Sequence, residues 1–306
     1  MSDKTVRTIG MNTSYDCQQS CVFCSESDAN ALLRGHFLPL KDAVRILLTK
    51  RELGADRLML GGGGEPKLHP DFVKILQAAK RLGLKTWVVS NGQRFAEPSF
   101  AAQTLPLLDE LVLSLHGDTA KLHESQTRRR GSFLKIVEAF RHAAELPSVN
   151  RTALAVVSRL NWERVEQIVR FGLERCRAQQ VCLSNLAPEG RAQQAYKDLA
   201  VPLAAWRERL PALKSLARSL GGSLATQFVP LCCSGGALDF DLPPFHCIYM
   251  IKIDGKPAVA DETVLHDDRK RVKAPLCGDC RKNGACAGVY ERYLEIFGAS
   301  ELALMR

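Results

Sequence analysis

Cys17, Cys21 and Cys24 stand in the run Cys-Gln-Gln-Ser-Cys-Val-Phe-Cys. The Cys-x3-Cys-x2-Cys spacing offers three thiolates on one short stretch of chain. A [4Fe-4S] cluster is held by one cysteine thiolate per iron. Three local thiolates leave one iron with an open position, and an open position on a metal is where a ligand or substrate enters. Two other readings of clustered cysteines compete. Disulfides belong to oxidising compartments and small secreted domains. This chain has 306 residues, and Met1 to Gly10 is polar and lacks an apolar h-region. Structural zinc sites usually pair Cys-x2-Cys units, whereas one of the two spacings here is x3.

A second motif follows. Arg57-Leu58-Met59-Leu60 reads as a buried strand and runs into Gly61-Gly62-Gly63-Gly64-Glu65-Pro66. Glycines permit unusual dihedrals and close approach of backbone to a ligand. Pro66 pushes Glu65 toward an extended conformation. A plain strand-to-helix turn is the alternative, but four consecutive glycines weaken a fold without a reason. With both motifs in this order, the chain resembles the radical S-adenosylmethionine (SAM) superfamily. The resemblance implies that Cys17, Cys21 and Cys24 hold a [4Fe-4S] cluster whose open iron binds SAM through its amino and carboxylate groups. An electron from the cluster then splits SAM into methionine and a 5'-deoxyadenosyl radical. It also implies that Phe23, before the last cysteine, packs near the adenine. Gly63, Gly64 and Glu65 would meet the amino group of SAM's methionine.

These motifs need a frame. Short apolar runs alternate with amphipathic stretches, the signature of a parallel sheet wrapped by helices. Strands are expected at Thr5–Met11, Arg57–Leu60, Thr86–Ser90, Glu110–His116, Thr152–Ser158 and Val181–Leu186. Helical stripes are Leu40/Val44/Leu47/Leu48, Phe133/Ile136/Val137/Phe140 and Trp162/Val165/Ile168/Val169/Leu173. Six strand-helix units fall short of the eight of a closed barrel. The resemblance implies such a fold: α/β, a partial (β/α)6 TIM-like barrel with a small C-terminal cysteine-rich iron-sulfur domain. The expected division is 1–222 and 223–306. Active sites of barrels sit at the carboxyl ends of the strands. The cysteine loop follows the first strand and the glycine loop the second, so both fall on one rim.

Other rim residues follow. Ser90-Asn91-Gly92 ends the third strand and Ser114 the fourth. By resemblance, Ser90, Asn91 and Ser114 contact the ribose and methionine of SAM; equally, Asn91-Gly92 is a turn and Ser114 a small packing residue. Asn185 or Leu186 would bring backbone near the adenine. Arg128, Arg129 and Arg130 offer a partner for the SAM carboxylate, for a substrate anion, or only for solvent. Cys176, on a helical stripe, and Cys182, in a strand, read as core, since buried cysteine behaves as a small hydrophobe.

After Gly221-Gly222 come six cysteines: Cys232, Cys233, Cys247, Cys277, Cys280 and Cys286. The last three form Cys-x2-Cys-x5-Cys. This resembles the SPASM extension or its shorter relative, the twitch domain, which bind auxiliary [4Fe-4S] clusters. Ile253-Asp254-Gly255-Lys256-Pro257 looks like their hairpin, with Asp-Gly as the turn. The match is partial: Tyr290 and Ala260 stand where the full motif has cysteines. Two auxiliary clusters need more ligands than six, so one is expected. Its ligands would be Cys277, Cys280 and Cys286 with Cys232 or Cys247, Cys233 being the weaker choice. A structural zinc is the competing reading; His246, beside Cys247, could ligate instead, though a surface or packed histidine is more common. Tyr290, Tyr293, Leu294 and Phe297 share one face of a closing helix.

Apolar content of 46% and charged content of 25% are ordinary for a soluble globular chain. No run of 18 apolar residues is present, so no spanning helix is expected. Eleven cysteines without a secretory signal point to a reducing cytoplasm. The net charge of +9 is scattered on polar helix faces, which disfavours nucleic acid as the partner. By resemblance the chain is an enzyme fed by a reductant such as flavodoxin or ferredoxin. The favoured substrate is a ribosomally made peptide or protein; a small metabolite is the alternative, and a non-catalytic electron carrier the remote one. Cys17 comes too early for an amino-terminal leader-binding domain, so a separate leader-binding protein would serve.

Overall fold

A computed structural model of the chain describes residues 7–235, 245–264 and 270–306. Thr5 and Val6, assigned to the first strand, lie outside these residues. The strands are β1 (Arg7–Met11), β2 (Ala55–Leu60), β3 (Lys85–Ser90), β4 (Glu110–Ser114), β5 (Asn150–Val157), β6 (Gln180–Asn185), β7 (Ser223–Gln227), β8 (Phe245–Ile253) and β9 (Lys256–Val264). They form one sheet in the order β7-β6-β5-β4-β3-β2-β1-β8-β9. Every neighbouring pair from β7 through β8 is parallel. Only β8 and β9 run antiparallel, joined by the two-residue turn Asp254-Gly255, both at positive φ. That is the geometry an Asp-Gly hairpin turn favours.

β1 to β6 each feed a helix, as the alternating pattern requires, and this is the partial barrel expected from the sequence. The expected division at 222 falls directly before β7. β7 continues the barrel sheet beside β6, and β8 joins its other side beside β1. The hairpin therefore extends the sheet.

Parallel sheets are buried on both faces and read as apolar runs. Ile9, Leu58, Leu60, Val88, Leu111, Leu113, Val181 and Leu183 are fully buried. Against them pack Ile75 and Leu76 of the helix Phe72–Arg81, and Ile136 and Phe140 of the helix Ser132–Ala144. Each such side chain stabilises by about 1.5–3 kcal/mol. Cys176 and Cys182 are buried, at 2% and 0% exposure. One stripe is rotated from expectation. In the helix Leu40–Leu48 the buried residues are Ala43, Ile46 and Leu47, while Leu48 is 64% exposed. The helix ends there, at Thr49, so its last residue leaves the core.

The C-terminal segment adds β10 (Arg271–Val272), β11 (Val289–Tyr290) and the helix Glu291–Phe297. Tyr290 lies in β11, not on the helix, and Tyr293 is 1% exposed. The Tyr293 hydroxyl accepts from Leu203 N at 2.9 Å and donates to Glu301 at 2.5 Å. Glu301 also accepts from Ala204 N, at the start of the helix Leu203–Ser219. A carboxylate there satisfies free N–H groups and the positive end of the helix dipole. Among the described residues no helix is long and apolar enough to cross a membrane.

Candidate active site

Because β1 to β6 are parallel, Met11, Leu60, Ser90, Ser114, Val157 and Asn185 end on one rim. Past Met11 the chain enters the cysteine loop, and past Leu60 the glycine loop. The two are stitched together: Gly64 N donates to Ser14 O at 2.6 Å and Glu65 N to Asp16 O at 2.7 Å. A Cβ at Gly62 would stand 2.5 Å from Asn12 Oδ1, at Gly63 2.8 Å from Ser14 O, and at Gly64 2.2 Å from Asp16 O. Gly62 and Gly63 also hold positive φ. The glycines thus serve first to seat the cysteine loop; at Gly63 and Gly64 the close approach is to backbone. Gly64→Ala is therefore expected to lower stability by about 1–3 kcal/mol, the usual range for overpacking. A thermal midpoint unchanged from wild type would show that the loops yield without strain.

Glu65 is 2% exposed. Its Oε2 accepts from Asn91 N at 2.7 Å, while Oε1 is buried with no hydrogen-bond partner. Oε1 faces the Lys67 ammonium at 3.6 Å. Lys67 is fully buried, 4.9 Å from the Phe95 ring centroid. Burial lowers its pKa to about 8, against the opposing pull of Glu65. Neither Lys67 nor its burial was legible in the sequence.

Around the thiols, Asn91 Nδ2 donates to Gln18 Oε1 at 3.2 Å and approaches Cys17 Sγ at 3.6 Å, and Gln19 N points at the same sulfur at 3.4 Å. Burial first, then the Glu65 carboxylate, pushes the Cys17 thiol up to about 11. Burial first, then Cys17 and Cys24, raises Cys21; burial also raises Cys24. Charge on Cys17 and Cys24 thus acts on Cys21, and charge on Cys24 on Cys17. The loop is clamped from the helices that follow β4 and β6. Ser20 N and Val22 N donate to Thr127 O and Gln126 O at the end of the helix Ala120–Thr127. Arg191, after β6, binds Cys21 O and has its own N on Cys24 O.

Phe23 meets the His116 ring edge-on, with centroids 4.6 Å apart. His116 Nδ1 accepts from Val156 N at 3.2 Å, and burial keeps the imidazole neutral, its pKa well below 6.5. Ser90 Oγ accepts from Gly92 N, so it shapes the turn. Ser114 is half-buried at the end of β4. Asn185 donates to Phe228 O, tying β6 to the end of β7. Arg128, Arg129 and Arg130 are exposed, and none forms a salt bridge among the described residues, which fits the solvated reading.

The other cysteines separate. Cys232, Cys277, Cys280 and Cys286 line one cavity, partly open to solvent, with Leu231, Leu276 and Val289. Lys273, on its wall, donates to Asn283 O at 2.6 Å and to Cys286 O. Cys233 is buried with its sulfur 3.7 Å from that of Cys232, and this contact draws the Cys232 pKa down. Cys247 does not line the cavity; it lies on β8 opposite Gly10 of β1. His246 engages Thr263 across the hairpin. Among the described residues no three Cys, His, Asp or Glu side chains converge as a single-ion site.

Comparison with known proteins fits this arrangement. A PqqA peptide cyclase of Ruegeria pomeroyi is 29% identical over 164 residues, 52% of this chain and 42% of that protein. A probable GTP 3',8-cyclase of Saccharolobus islandicus is 22% identical over 196 residues, 64% of this chain and 62% of that protein. The chain spans about half the length of the curated relatives it matches first. The crystal structure of Streptococcus suis SuiB bound to its precursor peptide SuiA superposes with a TM-score of 0.59 at 21% identity, over 72% of this chain and 49% of that one. That likeness establishes the fold. The Radical SAM superfamily model matches residues 11–172, from the end of β1 through the helix after β5. With its cysteine and Gly-Glu loops joined at the rim of a partial barrel, the chain belongs to the radical SAM superfamily.

Proposed function

We propose that the chain is a radical SAM enzyme that abstracts hydrogen from a ribosomally made peptide or protein. The observation carrying the first half is the hydrogen-bonded union of the cysteine loop with the Gly-Glu loop, beside the buried Glu65 carboxylate, whose Oε1 is ion-paired with Lys67 at 3.6 Å and accepts no hydrogen bond. In this reading Cys17, Cys21 and Cys24 hold the cluster, and Glu65 Oε1 accepts the methionine ammonium. Phe23 lies against the adenine, and Gly63, Gly64, Ser90, Asn91 and Ser114 form the walls. Cluster and SAM together supply a hydrogen-abstracting radical when bound. The residues supply position and protection. Their thiols are raised by burial, so metal binding must release their protons and is favoured as pH rises.

Support for a peptide substrate comes from the relatives: a peptide cyclase, and a fold neighbour with a precursor peptide bound. The GTP 3',8-cyclase relative favours the second reading, a small metabolite. The proposed setting is the cytoplasm, with flavodoxin or ferredoxin as reductant and a separate leader-binding protein for the peptide. The experiment is co-expression with a short peptide gene neighbouring its own, followed by mass spectrometry. Loss of hydrogen from the peptide, abolished by Cys21→Ala, supports the reading. An unaltered peptide, with 5'-deoxyadenosine formed only when GTP is added, overturns the peptide half.

We further propose that residues 223–306 carry one auxiliary [4Fe-4S] cluster on Cys232, Cys277, Cys280 and Cys286, the four that share a cavity. Cys232→Ala is expected to remove about four irons per chain, while Cys247→Ala keeps them. The reverse pattern would make Cys247 the ligand, and stoichiometric zinc in place of iron would make the centre structural.

A further inference from the structure

Arg191 begins the helix Arg191–Leu199, directly after Pro188-Glu189-Gly190. Its Nη1 donates to Cys21 O at 2.7 Å, and its backbone N donates to Cys24 O at 3.0 Å. A Cβ on Gly190 (φ +51°) would stand 2.5 Å from the carbonyl oxygens of both Cys24 and Ser25. The turn after β6 is therefore seated on the peptide units of the cysteine loop, in a fit that only glycine permits. One side chain grips the turn between the second and third cysteines.

The charges around the thiols sharpen this. Glu26 and Asp28 act on Cys24, and Glu65 acts on Cys17. Arg191 is the cation that acts on both Cys21 and Cys24, and Lys67 acts on the Cys17 side. A cluster held by three thiolates becomes more negative when it gains an electron. A fixed cation beside it stabilises the reduced form, and cluster potentials follow net charge, hydrogen bonding and exposure. Groups that orient metal ligands tune the metal as well.

We propose that Arg191 is a positioning residue for the SAM-binding cluster, fixing the Cys21–Cys24 turn and raising the cluster's reduction potential. This rests on the assignment of that cluster to Cys17, Cys21 and Cys24. Arg191 restrains the ligand loop without touching the reacting atoms.

The test is a redox titration, followed by electron paramagnetic resonance, of the full chain reconstituted with iron and sulfide. The carboxy-terminal cluster serves as internal reference. In Arg191→Gln, which keeps a hydrogen-bond donor but not the charge, the reduced-to-oxidised ratio at fixed potential is expected to fall about tenfold, or 59 mV for one electron. Arg191→Lys is expected to return within about twofold of wild type, since it restores charge. The reference cluster does not move. If Arg191→Met assembles no amino-terminal cluster, the Gln and Lys pair still decides. Wild-type potentials in Arg191→Gln overturn the proposal. So does a normal potential with weakened SAM binding, which would assign the guanidinium to the SAM carboxylate. If the wild-type chain itself forms no amino-terminal cluster, the failure belongs to the cluster assignment.

Discussion

Cys24→Ala is expected to abolish SAM cleavage while leaving in place the iron of the proposed carboxy-terminal cluster. The change removes one of three thiols on a loop whose other anchors are backbone groups. Cys24 O still accepts from Arg191 N, Gly64 N still reaches Ser14 O, and Val22 N still reaches Gln126 O. The fold should therefore survive, since Cys24 is only half-buried. The cluster should not: two thiolates cannot replace three, and no fourth cysteine lies on this loop. Reconstituted wild type should hold about eight irons per chain and the variant about four. Formation of 5'-deoxyadenosine should fall at least about a thousandfold, ~4 kcal/mol of barrier. Cys176→Ala is the control. It empties a core position at 2% exposure and should cost stability without removing iron. If Cys24→Ala cleaves SAM as wild type does, the assignment of the cysteine loop is lost.

Much of this frame is legible in the sequence because strand, glycine and cysteine each leave a local mark. Apart from the start of the first, which lies outside the described residues, the expected strand ends lie within two residues of β1 to β6, since apolar runs bounded by turns define them. What was not legible is non-local. β7 is Ser-Leu-Ala-Thr-Gln, too polar and poor in large apolar residues to announce a strand. β8 reads as a hairpin arm, and nothing in its own residues says that it will pair with β1. The same limit left the fourth auxiliary donor open between Cys232 and Cys247. Only the fold brings Pro230-Leu231-Cys232 to the later cysteines and sends Cys247 to the barrel edge. Arg191 and Lys67 were missed for a related reason. A cation in sequence reads as solvated surface: the acceptor that holds Arg191 lies on the cysteine loop far earlier in the chain, and nothing local marks Lys67, two residues past its partner Glu65, as buried.

Lys67 decides how Glu65→Gln will behave. A buried ion pair that loses one partner commonly costs about 3–5 kcal/mol, because the other charge is stranded. Here the stranded charge has an exit. Burial has already lowered Lys67 to about 8, and the Glu65 carboxylate is what holds it even that high. Discharging the lysine near neutral pH is therefore a small step, on the order of 1 kcal/mol. Loss of the carboxylate charge therefore costs the fold little more than that, and Gln can still accept from Asn91 N. The ligand has no such exit. An ammonium placed against Glu65 Oε1 loses a buried, charge-paired hydrogen bond, worth about 2–5 kcal/mol when truncated. SAM affinity in Glu65→Gln is thus expected to fall at least about thirtyfold, with the folded state weakened by only about 1–2 kcal/mol. Equilibrium dialysis against SAM and a chemical denaturation curve read the two effects separately. SAM binding within threefold of wild type would remove Glu65 from the methionine site. A stability loss of 3 kcal/mol or more, on the scale of a locked buried pair, would show that Lys67 stays charged and that its low pKa does not relieve the loss.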